Sequence, residues 1–247
     1  MMEGTSPVAF LNIPALILIT GGTAGATMAS TNFRAFMTAP KAAIMSFKGS
    51  SIDSASSIGL MVELSEKARR NGLLALEEDV AKIDDAYTRK GLQLVVDGTD
   101  SDLVAAILEA EVDGLAARHQ LVAGLFATAG GFAPTVGIIG TVMGLIHVLE
   151  NLAAPSTLGP AISGAFIATL YGVSSANLMF LPISNKLKEM SAVEVNHRMM
   201  ILDAILSIQA GDNPRVLSEK LEAFVAPADR GKGTEGGASS AELREAA

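Results

Sequence analysis

Residues 119–185 read HQLVAGLFATAGGFAPTVGIIGTVMGLIHVLENLAAPSTLGPAISGAFIATLYGVSSANLMFLPISN, and Glu150 is their only Lys, Arg, Asp or Glu. Another charge-free run extends from Gly4 to Phe33. Glu150 divides the first stretch into two charge-free runs, 119–149 and 151–185, so the chain has three such runs. A helix that crosses a bilayer needs about 20 consecutive, mainly apolar residues, and each run exceeds that length. The sequence therefore predicts three transmembrane helices and a lipid bilayer as their surroundings.

The composition excludes several classes of protein. The 247 residues are 49% hydrophobic and 18% charged, with a mean hydropathy of +0.40, which is too apolar for an ordinary soluble domain. A net charge of −8 argues against a nucleic-acid partner. The chain has no Cys, its three His are scattered, and it has no P-loop. We therefore expect no metal, no cofactor and no enzymatic activity.

The distribution of the 18 basic residues gives the orientation and the domain boundaries. All of them lie between Arg34 and Arg118 or from Lys186 onward, and Lys and Arg accumulate in cytoplasmic loops. The absence of Lys and Arg before the first span also argues against a cleaved signal peptide. The predicted segments are transmembrane helices at 1–33, 119–150 and 159–185, a cytoplasmic helical domain at 34–118, a periplasmic link at 151–158, a cytoplasmic helical tail at 186–225 and a disordered tail at 226–247.

The segments outside the membrane also have helical patterns. Ser57–Arg70 has an amphipathic period and ends at Asn71-Gly72. A second helical stretch is predicted from Leu73 to about Val96, and a third from Ser101 to Gln120. Because no segment of useful length alternates like a strand, the predicted fold class is all-α: a polytopic membrane protein with a helical cytoplasmic domain.

Small residues mark one face of each of the last two predicted spans. They are Gly137, Gly140 and Gly144 in one, and Gly164, Ala168 and Gly172 in the other. Small residues allow membrane helices to approach closely. Plain helix packing is the better interpretation of the glycines taken alone.

Two threonines and two prolines interrupt these apolar helices. A membrane threonine most often bonds to a carbonyl of its own helix, but Thr141 and Thr169 both accompany small-residue faces, which favours a shared polar interface. Pro134 and Pro182 lack backbone donors and therefore kink a helix, either for structure or to permit flexing. The spans contain no carboxylate, so another subunit would have to supply one if the chain conducts protons.

Five ordered blocks identify a family resemblance. They are ARRNGLLALE (68–77), LVVDG (94–98), PTVGIIGTVMGL (134–145), ATLYG (168–172) and QAGDNPR (209–215). Together they resemble the stator family of the bacterial flagellar motor, to which MotA and the sodium-type PomA belong. The resemblance covers nearly the whole chain to about residue 225.

The resemblance implies a function and its residues. In that family a homopentamer in the inner membrane surrounds a dimer of MotB, whose aspartate carries the ion, and pushes the rotor protein FliG through charges. Those charges match Arg69 and Glu77, with Arg70 as a weaker addition. The conformational prolines match Pro134 and Pro182, and the ion-path positions match Thr141, Ala168 and Thr169. The pair Ala168-Thr169 has one hydroxyl fewer than the Thr-Thr of sodium-type members, which favours H⁺ over Na⁺.

The number of spans leaves alternatives open. The family has four spans whereas three are visible here, so we expect either a start that lies upstream or a missing first helix. The ExbB/TolQ energisers of outer-membrane transport and envelope integrity have three spans and a similar Gly-Thr-Val segment, and they are the alternative function. A passive helical scaffold is a third possibility, against which the prolines and threonines argue mildly.

Overall fold

The computed structural model describes residues 10–49, 52–153 and 155–225, and nine α-helices account for most of these residues. Their bounds are α1 Ile13–Ser30, α2 Phe33–Lys48, α3 Ser54–Asn71, α4 Glu77–Val80, α5 Ala86–Val96, α6 Ser101–Glu150, α7 Pro155–Ser175, α8 Leu181–Ala210 and α9 Pro214–Glu222. A 3₁₀ turn, Leu73–Leu76, precedes α4, and a π-helical turn, Ala176–Phe180, joins α7 to α8. The all-helical prediction is confirmed for these ranges. The tail predicted to be disordered, 226–247, lies outside them.

The chain divides into two units. The membrane unit comprises residues up to 49 together with 118–190, and the polar unit comprises 50–117 together with residues from 191 onward. Within the described ranges, three helical stretches are long and apolar enough to cross a bilayer: Ile13–Ser30, Ser101–Glu150 and the continuous stretch Leu158–Ala210. They agree in number with the three charge-free runs.

In the membrane unit, α2 packs beside α6 and α8. Small residues on one face of α2, with Phe36, contact Leu125, Phe126 and Ile183. The opposite face carries basic residues and exposed apolar side chains such as Phe33 and Phe47. These contacts group α2 with the transmembrane helices, although its sequence lies in the segment 34–118 that was predicted to be a cytoplasmic domain.

The polar unit has its own hydrophobic core. Helix α3 buries Ile58, Met61, Leu64 and Ala68, which confirms the predicted amphipathic helix. Residues 101–117 of α6 and 191–210 of α8 contribute to the same core, as does α9. The side chains that are almost fully buried include Met61, Leu76, Tyr87, Leu92, Leu108, Met200, Ile205, Leu217 and Leu221. Burial of each Leu, Ile or Met side chain among them stabilises the unit by about 1.5–3 kcal/mol.

The prediction of one helical stretch from Leu73 to Val96 is wrong. That segment is a 3₁₀ turn, the short α4 and then α5, with non-helical residues before Ala86. The carboxylate of Asp85 accepts hydrogen bonds from the backbone N–H of Thr88 at 2.8 Å and from its hydroxyl at 2.7 Å. Such an N-cap begins a new helix rather than continuing an old one.

Candidate functional site

The two membrane threonines lie in direct contact. Thr141 Oγ1 donates to or accepts from Thr169 Oγ1 across the α6–α7 interface. Thr141 Oγ1 also lies 3.2 Å from the carbonyl oxygen of Gly137 in its own helix and 3.0 Å from that of Ala165 in α7. Thr169 Oγ1 is 3.4 Å from the Gly137 oxygen. Thr141 therefore bonds both to its own helix and across the interface with α7. The two hydroxyls and the carbonyls of Gly137 and Ala165 form a cluster of oxygens between two apolar helices.

Glycines on both helices make this cluster possible. A Cβ atom on Gly172 would lie 2.5 Å from the carbonyl oxygen of Ala133, and one on Gly137 would lie 3.1 Å from that of Ala168. A Cβ atom on Gly144 would lie 2.7 Å from Ala165 Cβ. Real Cβ atoms essentially never show the distances found at Gly172 and Gly144, and the distance at Gly137 is tighter than most. The close approach of α6 and α7 at this seam therefore depends on glycine at these positions.

The remaining small residues of the two faces also lie at contacts. A Cβ atom on Gly140 would lie 2.9 Å from Ala168 Cβ and 2.9 Å from Leu18 Cδ2. The methyl group of Ala168 is buried against this position, with 2% exposure. Position 168, next to Thr169 in the sequence, therefore carries a buried methyl group and no hydroxyl.

Sequence reasoning missed a second polar contact, between α7 and the start of α1. The Tyr171 hydroxyl accepts from the backbone N–H of Asn12 at 3.3 Å and donates to the Phe10 carbonyl. The Asn12 side chain caps α1 by accepting from Ala15 N at 3.0 Å, and it lies against Gly164. An Asn before an apolar run is a cap signal, but nothing in the sequence pairs it with a tyrosine 159 residues away.

The two prolines lie in different settings. Pro134 is inside α6, where its ring replaces a backbone donor. Pro182 follows the π-helical turn Ala176–Phe180, within which Asn177 Nδ2 donates to the Val173 carbonyl at 2.9 Å. A π-helical turn is a local widening of a helix that occurs often at functional sites. Sequence reasoning did not predict the π-helical turn.

The charged candidates lie on the polar unit, around a glycine turn. Arg69 and Arg70 are in the last turn of α3, and Glu77 begins α4; all three are exposed. Gly72, at φ +83°, ends α3 and donates its N–H to the Ala68 carbonyl. Arg70 lies 3.7 Å from Glu66, an exposed pair that adds little stability. Neither Arg69 nor Glu77 has an ion pair within the part of the chain that the structure describes.

The polar unit also contains a cavity of about 460 Å³ next to His197 and Asp85. Burial lowers the pKa of His197, and the carboxylate of Asp85 opposes that effect only in part. Burial of Asp85 itself disfavours its charge, but the hydrogen bonds from Thr88 and the positive charge of Arg198 outweigh this, so its pKa lies below the ordinary value. His197 was seen in the sequence only as one of three scattered histidines.

Comparisons with known proteins place this geometry in a family. The sequence model of the MotA/TolQ/ExbB proton channel family matches residues 79–200. Motility protein A of Borreliella burgdorferi is 39% identical over 221 residues, which cover 90% of this chain and 85% of the relative. This relative is a motility protein rather than an ExbB or TolQ energiser.

Two solved structures agree in fold. The chain matches the flagellar MotAB stator complex from Bacillus subtilis with a TM-score of 0.86 and 35% identity, over 93% of this chain and 90% of the other. It matches C. jejuni MotAB with a TM-score of 0.87 and 31% identity, over 92% and 89%. The chain therefore belongs to the motility protein A branch of the MotA/TolQ/ExbB proton channel family and is a multi-pass protein of the bacterial inner membrane.

Proposed function

We propose that this chain is the channel-forming stator subunit of a flagellar motor, which couples ion flow across the inner membrane to torque on a rotor. The observation that carries the proposal is the Thr141–Thr169 contact, a polar cluster between two helices that otherwise have apolar membrane faces. Its relatives are named as motility proteins and as parts of MotAB stator complexes. Such a subunit is a channel and motor part, and no catalytic role is proposed.

A partner has to supply the group that carries the ion. The charge-free runs 119–149 and 151–185 contain no Asp or Glu, and proton paths in membranes normally use such a group. We propose a MotB-like partner whose aspartate passes beside the threonines, with a pentamer of this chain around a dimer of the partner. The exposed apolar side chains of α6 and α7, among them Ile138, Val142, Phe166 and Leu170, are available for these contacts and for lipid.

The proposed ion is the proton. Sodium has to be held by several oxygens at once, and the side chains of this cluster supply two hydroxyl oxygens, those of Thr141 and Thr169. Ala168 adds only a methyl group. A proton needs no such cage, because it moves with the carboxyl group that carries it.

The proposed output is a push on FliG through Arg69 and Glu77, with Arg70 in support. The exposure of these side chains and the absence of ion pairs for Arg69 and Glu77 among the described residues support this role. Pro134 and Pro182 would allow α6 and the α7–α8 stretch to bend as each ion passes. The π-helical turn before Pro182 gives the second bend a structural basis.

The test uses co-expression with the MotB-like partner in a strain that lacks its own stators. We expect the native pair to restore swimming, with a speed that falls on addition of a protonophore and does not depend on external Na⁺. Thr141→Val and Thr169→Val should reduce ion leak through a complex without its plug. Thr20→Val is the matched control, because the Thr20 hydroxyl bonds to the Leu16 and Ile17 carbonyls of its own helix.

Three outcomes would contradict the proposal. Speed that follows external Na⁺ would contradict the proton assignment. Normal leak in both threonine variants would remove them from the ion path. Restoration of siderophore uptake or envelope integrity in place of swimming would support the ExbB/TolQ alternative.

A further inference from the structure

One leucine on the polar unit has an orientation that core packing does not explain. The 3₁₀ turn Leu73–Leu76 fixes three leucines over four residues. Leu76 is fully buried and Leu73 packs against the core. Leu74 instead is 74% exposed. Leu73 and Leu76 attach the turn to the core, so the Leu74 side chain points away from that core.

Along the chain, basic residues precede Leu74 and acidic residues follow it. Arg69 and Arg70 precede it at the end of α3, and Glu77 and Glu78 follow it at the start of α4, all of them exposed. A single exposed leucine on a surface is ordinary. An exposed leucine that follows a basic pair and precedes an acidic pair along the chain has the composition of an interface centre, in which an apolar anchor is surrounded by a polar rim.

Charges alone explain the proposed contact with the rotor protein poorly. Exposed ion pairs contribute only about 0–1 kcal/mol each, and they mainly set orientation and the rate of encounter. Most of the binding energy of an interface comes from a few anchors that lose their water. A surface that transmits force needs both correct orientation and enough binding energy to stay in contact. The charged groups supply the orientation.

We propose that Leu74 is the apolar anchor of the rotor contact, an inference that rests on the proposed stator function. Its occupant is a surface of the rotor protein that has a shallow apolar pocket between a carboxylate and a basic group. The carboxylate faces Arg69 and Arg70, and the basic group faces Glu77. The charges orient the two surfaces, and burial of Leu74 determines how long they remain in contact.

The experiment compares Leu74→Asn, which removes the apolar surface at similar volume, with Leu74→Met, which keeps it. The matched control is Leu103→Asn, at a leucine of the same unit that is 54% exposed. Fluorescently labelled complexes are followed on single motors, together with torque and with the proton leak of a complex without its plug. We expect Leu74→Asn to shorten the dwell time of stators on motors about tenfold. Leu74→Met, Leu103→Asn and the proton leak should stay near native values.

A photo-crosslinker placed at position 74 identifies the occupant. Crosslinking to the rotor protein supports the proposal, and crosslinking only to a second copy of this chain overturns it. Native dwell time and torque in Leu74→Asn, with torque lost in Arg69→Glu, would overturn the anchor and leave the stator function standing. Lower membrane levels or lower leak in Leu74→Asn would show a structural role instead. If the native complex neither conducts protons nor restores swimming, the stator function itself is wrong.

Discussion

At the scale of single residues, the absent side chains matter as much as the hydroxyls. Thr141 reaches the Ala165 carbonyl and the Thr169 hydroxyl only because Gly137, Gly144 and Gly172 leave no Cβ between the helices. A buried hydroxyl without a partner costs about 1–3 kcal/mol. Loss of the close approach would therefore remove the bonds across the seam and leave Thr141 with the Gly137 carbonyl of its own helix.

Gly172→Ala should destabilise the membrane unit by about 1–3 kcal/mol, because its methyl group meets a backbone oxygen that cannot move aside. The measurement is thermal unfolding of the full chain in detergent. Gly131→Ala is the matched control, since a Cβ atom there has no neighbour within 4 Å. Equal melting temperatures for the two variants would contradict the tight α6–α7 seam.

His197 should make the polar unit sensitive to mild acid. Burial lowers its pKa, so the unfolded chain, with an ordinary pKa near 6.5, binds more protons than the folded chain as the pH falls below neutrality. The stability that the neutral imidazole provides is present above that pH and is lost as the pH falls toward the lowered pKa. Its charged surroundings are Asp53, Asp85, Glu194 and Arg198. The pKa of Asp85 is also lowered, so this carboxylate stays ionised throughout this range.

The measurement is the melting temperature of the full chain between pH 7.5 and 5.5. The melting temperature should fall more on acidification in the native chain than in His197→Gln. His147→Gln, at an exposed histidine, should behave like the native chain. Parallel curves for the native chain and His197→Gln would refute the assignment.

Sequence reasoning reached part of this residue-level picture. The spacing of Gly137, Gly140 and Gly144 on one helical face, with Thr141 beside them, was enough to predict where close packing and a polar interface could meet. It could not supply the partner of Tyr171, because a hydroxyl that bonds to backbone 159 residues away leaves no local pattern. The exposure of Leu74 was hidden for a related reason: three leucines in four residues do not reveal which one points outward.

At the scale of elements, α2 is the most informative difference between sequence and structure. It is short, it contains Pro40, and its basic residues group it by charge with the polar segment that follows. Its placement depends on tertiary contacts of Phe36 with Phe126 and Ile183. The exposed face combines Phe33, Met37, Ile44 and Phe47 with Lys and Arg, which is typical of a helix that lies in the membrane interface.

The chain has no Trp, so one introduced Trp reports a single position. In Phe47→Trp, at a side chain that is 81% exposed, brominated lipids should quench the fluorescence strongly. Leu74→Trp, on the polar unit and similarly exposed, should be quenched little and serves as the control. Equal quenching at both positions would show that α2 does not lie in the bilayer interface.

Other boundaries depend on local chemistry that periodicity does not resolve. Residues 73–96 have enough helical character to predict one helix, and the Asp85–Thr88 cap breaks it. The π-helical turn before Pro182 had no signal of its own. The long apolar helices were the easiest to predict, because hydrophobic length alone determines them.

At the scale of the whole molecule, function requires partners. The charge-free runs 4–33, 119–149 and 151–185 contain no Asp or Glu, and many apolar side chains of α6 and α7 are exposed. Native mass spectrometry of the detergent-purified complex should show five copies of this 25.4 kDa chain with two of the MotB-like partner. Any other ratio that persists across mild detergents would contradict the proposed pentamer.

The α6–α7 seam and the core of the polar unit should also respond differently to temperature. The seam joins apolar helices in lipid, where association depends on close contact and hydrogen bonds rather than on the release of water. The polar core around Leu92, Leu108 and Ile205 forms in water, and its driving force weakens on cooling. On cooling, the polar unit, which is expected to push the rotor, should therefore lose stability, while the α6–α7 seam keeps its close contact.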